Sequence, residues 1–353
     1  MVHAPDHILA SGFVIDDFPT DRAASPAWLT IPASKIYGWC AASYHKWYGQ
    51  RVPYRLNVPV ISVGNIVVGG TGKTPTVIAL AKLLRERFSY LRNANAVAIL
   101  SRGYGRRSKE LVVVESDSDW RETGDEPLLI KRAVPEVAVV VHADRRLAAD
   151  HAGRVLQSKL LLLDDGFQHR RISRDLDLVL VDGEHPLGNG YLLPAGPLRE
   201  PAQNLDRASA LFGVGELRSA ASELAVKHNK DFFTAIPQLK LPPALADGSI
   251  RRVYAFAGIA RPHRFRNSLI NNSLEIIGAR FFRDHHAFRL QELESIAIEA
   301  VAQGAEAVVT TEKDRVRIGA WDYPVPLLVV GLEMCFNEPN RVYEMLTSIV
   351  QKT

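Results

Sequence analysis

The segment Gly64–Thr74 constrains the fold of this 353-residue chain more than any other stretch. It reads GNIVVGGTGKT, follows an apolar run (Val58–Val63) and precedes a segment with helical periodicity (Pro75–Phe88). Strand, glycine-rich turn, Gly-Lys-Thr and helix, in this order, are the layout of a phosphate-binding loop, in which backbone N–H groups surround an anion at a helix N-terminus. We therefore predict an α/β fold with a nucleotide-binding turn after a buried strand.

The same turn predicts which residues contact the nucleotide. Lys73 is expected to reach the β- and γ-phosphates, and the hydroxyl of Thr74 is expected to bind Mg²⁺. The usual pattern has a glycine five residues before Gly72, where this chain has Val67. The alternative is a glycine-rich loop that binds no ligand. The predicted nucleotide-binding residues are Gly69, Gly70, Thr71, Gly72, Lys73 and Thr74.

Short apolar runs alternate with helical patterns from residue 58 onward. Alternation of this kind predicts a mostly parallel sheet with helices on its faces and ligands at the carboxyl ends of the strands. A second alternating region begins after about residue 235. Its expected strands are Arg252–Ala257, Ala307–Thr310 and Leu327–Val330, and its expected helix is Leu290–Ala302. The sequence thus predicts a P-loop NTPase-like domain over 58–235 and a second, smaller α/β lobe over 236–353. The other predicted strands are Val58–Val63, Ala96–Leu100, Leu111–Glu115, Val137–Val141, Leu160–Leu163 and Leu176–Val181, and the other predicted helices are Pro75–Phe88, Glu126–Ala133 and Ala143–Val155.

Composition excludes several classes of protein. Hydrophobic residues make up 47% of the chain and charged residues 23%, as in soluble globular proteins. The two cysteines, Cys40 and Cys335, cannot build a disulfide framework or a cysteine-rich metal site. No apolar run approaches the roughly 20 residues of a membrane span, and the N-terminus has no basic region typical of a secretory signal. The net charge of +4 fits an acidic partner without choosing among nucleotide, anionic lipid and nucleic acid.

The N-terminal region has a composition of its own. We expect a flexible tail over 1–27 and an amphipathic helix within 28–57, where three of the five tryptophans lie. Basic residues flank an aromatic face at helical spacing, and such a helix can lie in a membrane interface. The alternative is a helix that packs on the protein's own core. The residues on the aromatic face are Ile36, Tyr37, Cys40, Tyr44, Trp47 and Tyr48.

Pairs of acidic residues lie at the end of one predicted strand and at the start of one predicted helix. Asp164 and Asp165 end the apolar run Leu160–Leu163, where phosphate-loop proteins place an acid that holds Mg²⁺. An ordinary strand-end turn is the alternative. Asp125 and Glu126 open a predicted helix, so Asp125 is a candidate general base and Glu126 a metal or substrate contact. Asp125 would equally serve as the N-cap of that helix.

Basic residues follow two further predicted strands. Arg145, after Val137–Val141, has a guanidinium group that matches the oxygens of a transferring phosphoryl group. Its alternative is an ordinary surface arginine. Arg102 belongs to the glycine-rich run Ser101–Arg107, whose three arginines are suited to binding an anionic headgroup or a phosphate. The alternative is that this run is a solvated loop.

Two segments outside the strand ends complete the set of candidates. The Gly- and Pro-rich loop Gly188–Pro201 carries Asn189, Arg199 and Glu200, which we expect to bind an acceptor. In the second lobe, Asp284-His285-His286 offers a histidine that is a base, a metal ligand or a surface group. A zinc site is not expected there, because no cysteine or spaced third histidine accompanies the pair.

Taken together, these motifs resemble the lipid A 4′-kinase family, also called tetraacyldisaccharide 4′-kinase. The resemblance extends from about residue 60 to 314, with the pieces in the family's order, and the phosphate loop with Val67 is the family's own variant. The matching pieces are VGNIVVGGTGKTP, LSRGYGR, GDEP, HADR, LLDDGFQHR, GNGYLLPAGPLREP, FAGIARPHRF, FFRDHH and TTEKD.

The resemblance implies phosphorylation, dependent on ATP and Mg²⁺, of the 4′-hydroxyl of a tetraacyldisaccharide 1-phosphate to give lipid IVA. It implies Asp125 as the base, with His285 rather than His286 as its partner, and Asp164 and Asp165 near the metal. Arg145, Arg199 and Glu200 become phosphate or acceptor contacts. It also favours the membrane-interface reading of 28–57, and hence a peripheral enzyme on the cytoplasmic face of the inner membrane with no nucleic-acid partner and no obligate protein partner.

Two other classes of function share the phosphate loop. A nucleotide switch of the GTPase type needs Asn/Thr-Lys-x-Asp to select guanine, and both Asn229-Lys230-Asp231 and Thr311–Asp314 miss that pattern. An ATP-dependent ligase of a soluble metabolite would not need the aromatic N-terminal helix.

Overall fold

The computed structural model describes residues 27–49 and 52–350, so the predicted tail over 1–27 lies almost wholly outside the described residues. These residues divide into two compact units: Leu241–Val330, and a larger unit made of the chain up to Lys240 together with the chain from Gly331 onward. Within the described ranges, no helix combines the length and the apolar character that a bilayer span requires.

The strands and helices are as follows. The strands are β1 (Val60–Asn65), β2 (Val97–Ser101), β3 (Val112–Val113), β4 (Ala138–Val141), β5 (Leu160–Asp164), β6 (Leu176–Asp182), β7 (Ala210–Val214), β8 (Asp231–Lys240), β9 (Arg252–Ala257), β10 (Glu275–Phe281), β11 (Ala307–Thr311) and β12 (Leu327–Phe336). The helices are α1 (Ala27–Gly49), α2 (Lys73–Arg87), α3 (Trp120–Thr123), α4 (Asp125–Ala133), α5 (Arg145–Asp150), α6 (Ser219–Lys227), α7 (Pro243–Ala246), α8 (Pro262–Asn271), α9 (Leu290–Ala302), α10 (Glu312–Arg315) and α11 (Pro339–Val350).

The larger unit is built on a mostly parallel sheet in the order β8-β7-β6-β1-β5-β2-β4-β3. Only β3 runs antiparallel to its neighbour, and the second half of β12 adds an antiparallel edge beside β8. Every residue of β1, β2, β4, β5 and β6 is buried. Strands buried on both faces read as continuous apolar runs, which is why the sequence predicts them well.

The register of this sheet brings the predicted site residues to one edge. Val63 of β1 pairs with Asp164 of β5, and Ser101 of β2 pairs with Val141 of β4. Because β1, β5, β2 and β4 are parallel neighbours, the turns that follow them lie side by side. The P-loop NTPase-like α/β fold predicted from the sequence is confirmed.

The smaller unit has a parallel sheet in the order β10-β9-β11-β12, to which β12 contributes its first four residues, Leu327–Val330. Its core contains Tyr254 and Phe256 of β9 packed against Leu293 and Ile296 of α9. The predicted strand at Arg252–Ala257 and the predicted helix at Leu290–Ala302 are confirmed. Strand β10 was not predicted, and its pairing shifts register between Ile276 and Gly278.

The division of the chain differs from the predicted one. We predict the second lobe over 236–353, whereas the smaller unit covers Leu241–Val330 and the chain from Gly331 returns to the larger unit. The reason is the antiparallel pairing of β12 with β8, from Gly331 opposite Lys240 to Phe336 opposite Ala235. The boundary falls inside a continuous strand, where composition does not change.

Candidate active site

The phosphate loop joins β1 to α2. Gly72 has φ +80°, a left-handed conformation that glycine adopts readily, and a Cβ there would lie 2.8 Å from Cε of Met334. The Asn65 side-chain amide donates to Oγ1 of Thr71 at 2.8 Å, and the Thr76 hydroxyl donates to the Gly72 carbonyl. Helix α2 begins at Lys73, two residues earlier than predicted, so its first turn belongs to the loop. This geometry presents a helix N-terminus, which attracts anions.

Val67, the departure from the usual loop pattern, has a structural explanation. It is almost fully buried and packs in one cluster with Phe167 and Leu198. Its backbone bridges Leu198 in antiparallel fashion, and the Val68 N–H donates to the Pro197 carbonyl at 2.8 Å. The first half of the loop is therefore fixed by the core, and the left-handed glycines Gly69 and Gly72 follow it.

Two carboxylates lie at the end of β5 beside this loop. The Asp165 carboxylate is 3.6 Å from Nζ of Lys73, and Nη1 of Arg199 donates to both of its oxygens at 3.0 Å. Burial by itself would raise the pKa of Asp165, but Lys73 and Arg199 together hold it below its usual value. Asp165 is therefore an ionised group shared by two cations.

Asp164 differs from its neighbour. It is 3% exposed, and its Oδ1 has no protein hydrogen-bond partner. Burial, and then the negative charges of Glu126 and Asp165, raise the pKa of Asp164 to about 7. A buried carboxylate oxygen with no donor is suited to a cation, and oxygen ligands are those that Mg²⁺ prefers.

The donor set fits a metal ion that is also held by phosphates. Among the described residues, no group of three or more His, Cys, Asp and Glu side chains is arranged to hold a metal ion alone. Mg²⁺ in phosphoryl-transfer sites is usually bound by one or two carboxylates together with phosphate oxygens and water. Asp164, Asp165 and the hydroxyl of Thr74 match that smaller requirement.

Arg145 lies in the first turn of α5, which Asp144 caps by accepting the Arg146 N–H. Its side chain is buried, and Nη2 donates to the backbone carbonyl of Asp164 at 3.4 Å. Burial lowers the pKa of Arg145 to about 10, so the group stays charged near neutral pH. The surface-arginine alternative is thus wrong, because this cation lies inside the larger unit at the end of β5.

The loops after β2 and before α4 meet through two glycines. A Cβ on Gly124, which has φ +95°, would lie 3.1 Å from Cα of Gly103. Gly124 is the N-cap of α4, and Asp125 is its first residue, with Oδ1 accepting the Glu126 N–H at 2.9 Å. The alternative reading of Asp125 as the N-cap of this helix is therefore wrong, and its role as general base stays a prediction. Asp125 is buried at a helix N-terminus, where a negative charge is stabilised.

Two more predicted residues belong to the same edge. The charge of Glu126 contributes to the raised pKa of Asp164, and the charge of Arg102 contributes to the lowered pKa of Arg145. Both effects require proximity. The structure thus brings Lys73, Asp164, Asp165, Arg145, Glu126 and Arg102 together around the carboxyl ends of β1, β5, β2 and β4.

In the loop Gly188–Pro201, two of the residues predicted to bind an acceptor, Asn189 and Glu200, make hydrogen bonds to other protein groups. Glu200 is 0% exposed and accepts hydrogen bonds from Gln168, Asn204 and Arg207. Its side chain is therefore enclosed by these donors, and its contact with the acceptor stays a prediction. Asn189 donates to the Ala195 carbonyl and accepts from a backbone N–H within the same loop.

Helix α1 has one docked face and one exposed face. Ser34 donates to the Leu192 carbonyl at 2.8 Å, and Tyr37 donates to the Arg199 carbonyl at 2.8 Å. On the other side, Ile36 is 65% exposed and Trp39 is 72% exposed. One face of the helix thus packs on the larger unit, and contact of the exposed face with a membrane stays a prediction. The predicted aromatic residues Tyr44, Trp47 and Tyr48 have side chains outside the described part of the structure.

The histidines of the smaller unit have distinct surroundings. His286 bonds to Glu292 at 2.9 Å, and its ring stacks on Phe282. His285 has φ +61°, and its Nε2 lies 3.3 Å from Nζ of Lys313. The Asp284 carboxylate lies beside both groups, 3.6 Å from Nε2 of His285 and 3.2 Å from Nζ of Lys313. His285 belongs to the smaller unit and Asp125 to the larger, and their pairing stays a prediction.

Sequence reasoning quoted two residues of the acidic turn without assigning them a role. Gln168 donates to the Asn65 carbonyl and to Glu200, and its Oε1 accepts from Arg199 at 3.3 Å. Burial, then the charge of Arg145, lowers the pKa of His169 to about 4, and its buried Nε2 has no hydrogen-bond partner. Their place in the motif DDGFQHR, directly after the two acids, was the available signal.

Comparison with known proteins gives a consistent result. The family model described as tetraacyldisaccharide-1-P 4′-kinase matches residues 26–351. A tetraacyldisaccharide 4′-kinase of Anaeromyxobacter dehalogenans (strain 2CP-C) is 40% identical over 283 residues, covering 75% of this chain and 73% of the relative. A tetraacyldisaccharide 4′-kinase of Paramagnetospirillum magneticum is 38% identical over 336 residues, covering 95% of this chain and 98% of the relative.

A solved structure also resembles the described fold. The crystal structure of the "apo" form of LpxK from Aquifex aeolicus in complex with ATP aligns with a TM-score of 0.72 at 30% identity. The alignment covers 91% of this chain and 98% of that one.

Proposed function

The chain belongs to the tetraacyldisaccharide-1-P 4′-kinase family, and from this premise we propose how its residues carry out the transfer. The protein is a tetraacyldisaccharide 4′-kinase of lipid A biosynthesis that uses ATP to phosphorylate the 4′-hydroxyl of the disaccharide. The nucleotide-switch and soluble-ligase alternatives do not describe this family. The observation that carries the assignment of roles is the group formed by Lys73, Asp164, Asp165 and Arg145 beside the phosphate loop.

The phosphate loop holds the triphosphate in this proposal. Backbone N–H groups from Gly69 to Thr74 surround the phosphates, and Lys73 moves from Asp165 to the β- and γ-phosphates. Thr74, Asp164 and Asp165 would hold Mg²⁺, with Glu126 close enough to take part through its charge. A Mg²⁺ ion held by these residues would offset the negative charge of the phosphates.

Asp125 accepts the proton of the sugar hydroxyl. Its support is its buried position in the first turn of α4, directly after Gly124, which closely approaches Gly103 in the loop that follows β2. Arg145, with Arg102 nearby, stabilises the charge on the transferring phosphoryl group. Because phosphoryl transfer relies on positioning and electrostatics, rigid placement of these groups at strand ends supplies most of the catalytic effect.

The acceptor is an acylated lipid, so the enzyme must work at a membrane surface. The exposed face of α1, with Ile36, Trp39 and the exposed Lys35, is suited to an interface with anionic lipid headgroups. We place the enzyme as a peripheral protein on the cytoplasmic face of the inner membrane, where its ATP is available.

One experiment tests the reaction directly. The protein is incubated with γ-labelled ATP, Mg²⁺ and tetraacyldisaccharide 1-phosphate in detergent micelles, and the lipid is separated by thin-layer chromatography. We expect label in a lipid product with wild-type protein and none with the Lys73→Ala control, whose folding is checked by circular dichroism. Label that appears only as inorganic phosphate, or equal transfer by the Lys73→Ala protein, would contradict the proposal.

A further inference from the structure

Arg199 is held in place at three points, and one of them comes from the N-terminal helix. Its N–H donates to the Ile66 carbonyl at 2.9 Å, which ties it to the phosphate loop. Its Nη1 bonds to Asp165 and Gln168. Its own carbonyl accepts the hydroxyl of Tyr37 at 2.8 Å. The backbone and the side chain of Arg199 are thus held by different partners.

The contact made by α1 is specific in its geometry. Burial raises the pKa of Tyr37, so the hydroxyl stays protonated and acts as a donor. Three residues earlier on the same helix, Ser34 is buried and donates to the Leu192 carbonyl. Gly38 lies so close that a Cβ there would be 2.8 Å from Cδ1 of Leu192. Two hydrogen bonds and a close approach therefore attach α1 to both ends of the segment from Leu192 to Arg199.

We infer that Tyr37 is a positioning residue for the reaction: through the Arg199 carbonyl, helix α1 holds the arginine that shares Asp165 with Lys73. The helix that faces the lipid thereby also arranges the nucleotide side of the site. The inference rests on the proposed role of Asp165 and Lys73 in binding Mg²⁺ and ATP, and it assigns α1 a task beyond membrane contact.

The physical effect of losing this bond follows from the charges. Without the Tyr37 hydroxyl, the Arg199 carbonyl loses a donor and the segment that carries it relaxes. Asp165 then depends more on Lys73 for neutralisation. Since Lys73 must leave Asp165 to reach the phosphates, a stronger Lys73–Asp165 interaction competes with ATP. The dissociation constant of Mg²⁺–ATP should therefore rise even when no lipid is present.

The test compares two tyrosine variants of the full-length protein. Tyr37→Phe removes only the hydroxyl. Tyr90→Phe is the matched control, because the Tyr90 hydroxyl also donates to a backbone carbonyl, at 3.1 Å, but beyond the far end of α2 from the phosphate loop. Titration calorimetry with Mg²⁺–ATP, without lipid, should show about a three- to tenfold weaker affinity for Tyr37→Phe, the effect expected for one hydrogen bond, and no change for Tyr90→Phe.

A double-mutant cycle with Arg199→Met identifies the route of the effect. We expect Tyr37→Phe to add little to the loss already caused by Arg199→Met. If Tyr37→Phe lowers the melting temperature while the affinity for Mg²⁺–ATP is unchanged, Tyr37 only docks the helix and the inference is overturned. If Arg199→Met leaves that affinity unchanged, the inference also fails, while lipid labelling by wild-type protein would still support the proposed function.

Discussion

Asp164 and Glu200 are two buried carboxylates of the same unit with opposite surroundings. Glu200 accepts hydrogen bonds from Gln168, Asn204 and Arg207. Asp164 has Oδ1 without a partner, two negative neighbours and a pKa raised to about 7. Asp164 ends a predicted strand and Glu200 lies in a predicted loop, and neither position shows in the sequence how its carboxylate is hydrogen-bonded.

The comparison separates a carboxylate that holds the fold from one that is ready for a ligand. A buried acid whose oxygens are all bonded has no capacity left for a metal or substrate. A buried acid without donors costs stability in the free protein, and a cation can compensate that cost. Burial of a motif residue therefore says little about function until its hydrogen-bond partners are known.

The largest expected effect comes from neutralising Asp164. Asp164→Asn keeps the shape of the side chain and removes the charge that would hold Mg²⁺, so kcat should fall by about 10²- to 10³-fold. Lipid labelling at saturating Mg²⁺–ATP measures it. Turnover close to that of wild type would mean that the unpartnered oxygen of Asp164 has no role in the reaction. Asp164 would then not differ in function from Glu200.

Glu200→Gln should instead act on stability. One carboxylate oxygen becomes an amide nitrogen that faces the donors Asn204 and Arg207, and Arg207 loses its buried counter-ion, so the free energy of unfolding should fall by about 3 kcal/mol. Urea denaturation measures the change, and activity per folded molecule should stay near wild type. A large loss of activity with unchanged stability would return Glu200 to the acceptor site.

The pH dependence of stability should identify Asp164. Its pKa is raised to about 7 from the ordinary 3.8, so between about pH 4 and 7 the native state binds a proton that the unfolded state has released. The stabilisation from this proton is complete below pH 4 and is lost as pH rises through 7. Relative to Asp164→Asn, ligand-free wild type should lose up to about 1.4 kcal/mol per pH unit within this window.

Urea unfolding of both proteins at pH 5, 6, 7 and 8 measures that difference, and the contributions of titrating groups that do not interact with Asp164 cancel between the two proteins. Parallel curves for wild type and Asp164→Asn would show that Asp164 titrates normally.

The smallest effect should come from removing one donor to Glu200. Asn204→Ala deletes a 2.7 Å hydrogen bond and should lower the free energy of unfolding by about 1 kcal/mol. The KM for ATP should not change, because Gln168 and Arg207 still hold the carboxylate. An increase in that KM would mean that the Glu200 network also serves the nucleotide.

Much of the fold could be predicted because its central strands are buried on both faces. The runs that became β2 and β5 are continuous and apolar, and Ser62 and Asp177 are the polar residues that interrupt the runs of β1 and β6. Polar residues follow each of the four runs. The strands that were missed lie further out. For example, β8 alternates between buried and exposed residues and contains Pro237, and β10 has an irregular register at Gly278.

The site could be predicted by position more than by role. Lys73, Asp164 and Asp165 were predicted together because the turns after parallel neighbouring strands meet. The complete set of donors around Glu200 could not be predicted, since one of them, Gln168, is 32 residues away in the chain. The docked face of α1 could not be predicted either, because the hydroxyl of Tyr37 donates to the carbonyl of Arg199, which is 162 residues away in the chain.

The pairing of Lys240 with Gly331 bears on the entropic cost of folding the smaller unit. The segment Leu241–Val330 begins and ends next to two residues that face each other on antiparallel strands, about 5 Å apart. Once this ladder has formed, the two ends of the segment are already close together, so the entropic cost of closing so long a loop has been met by the larger unit.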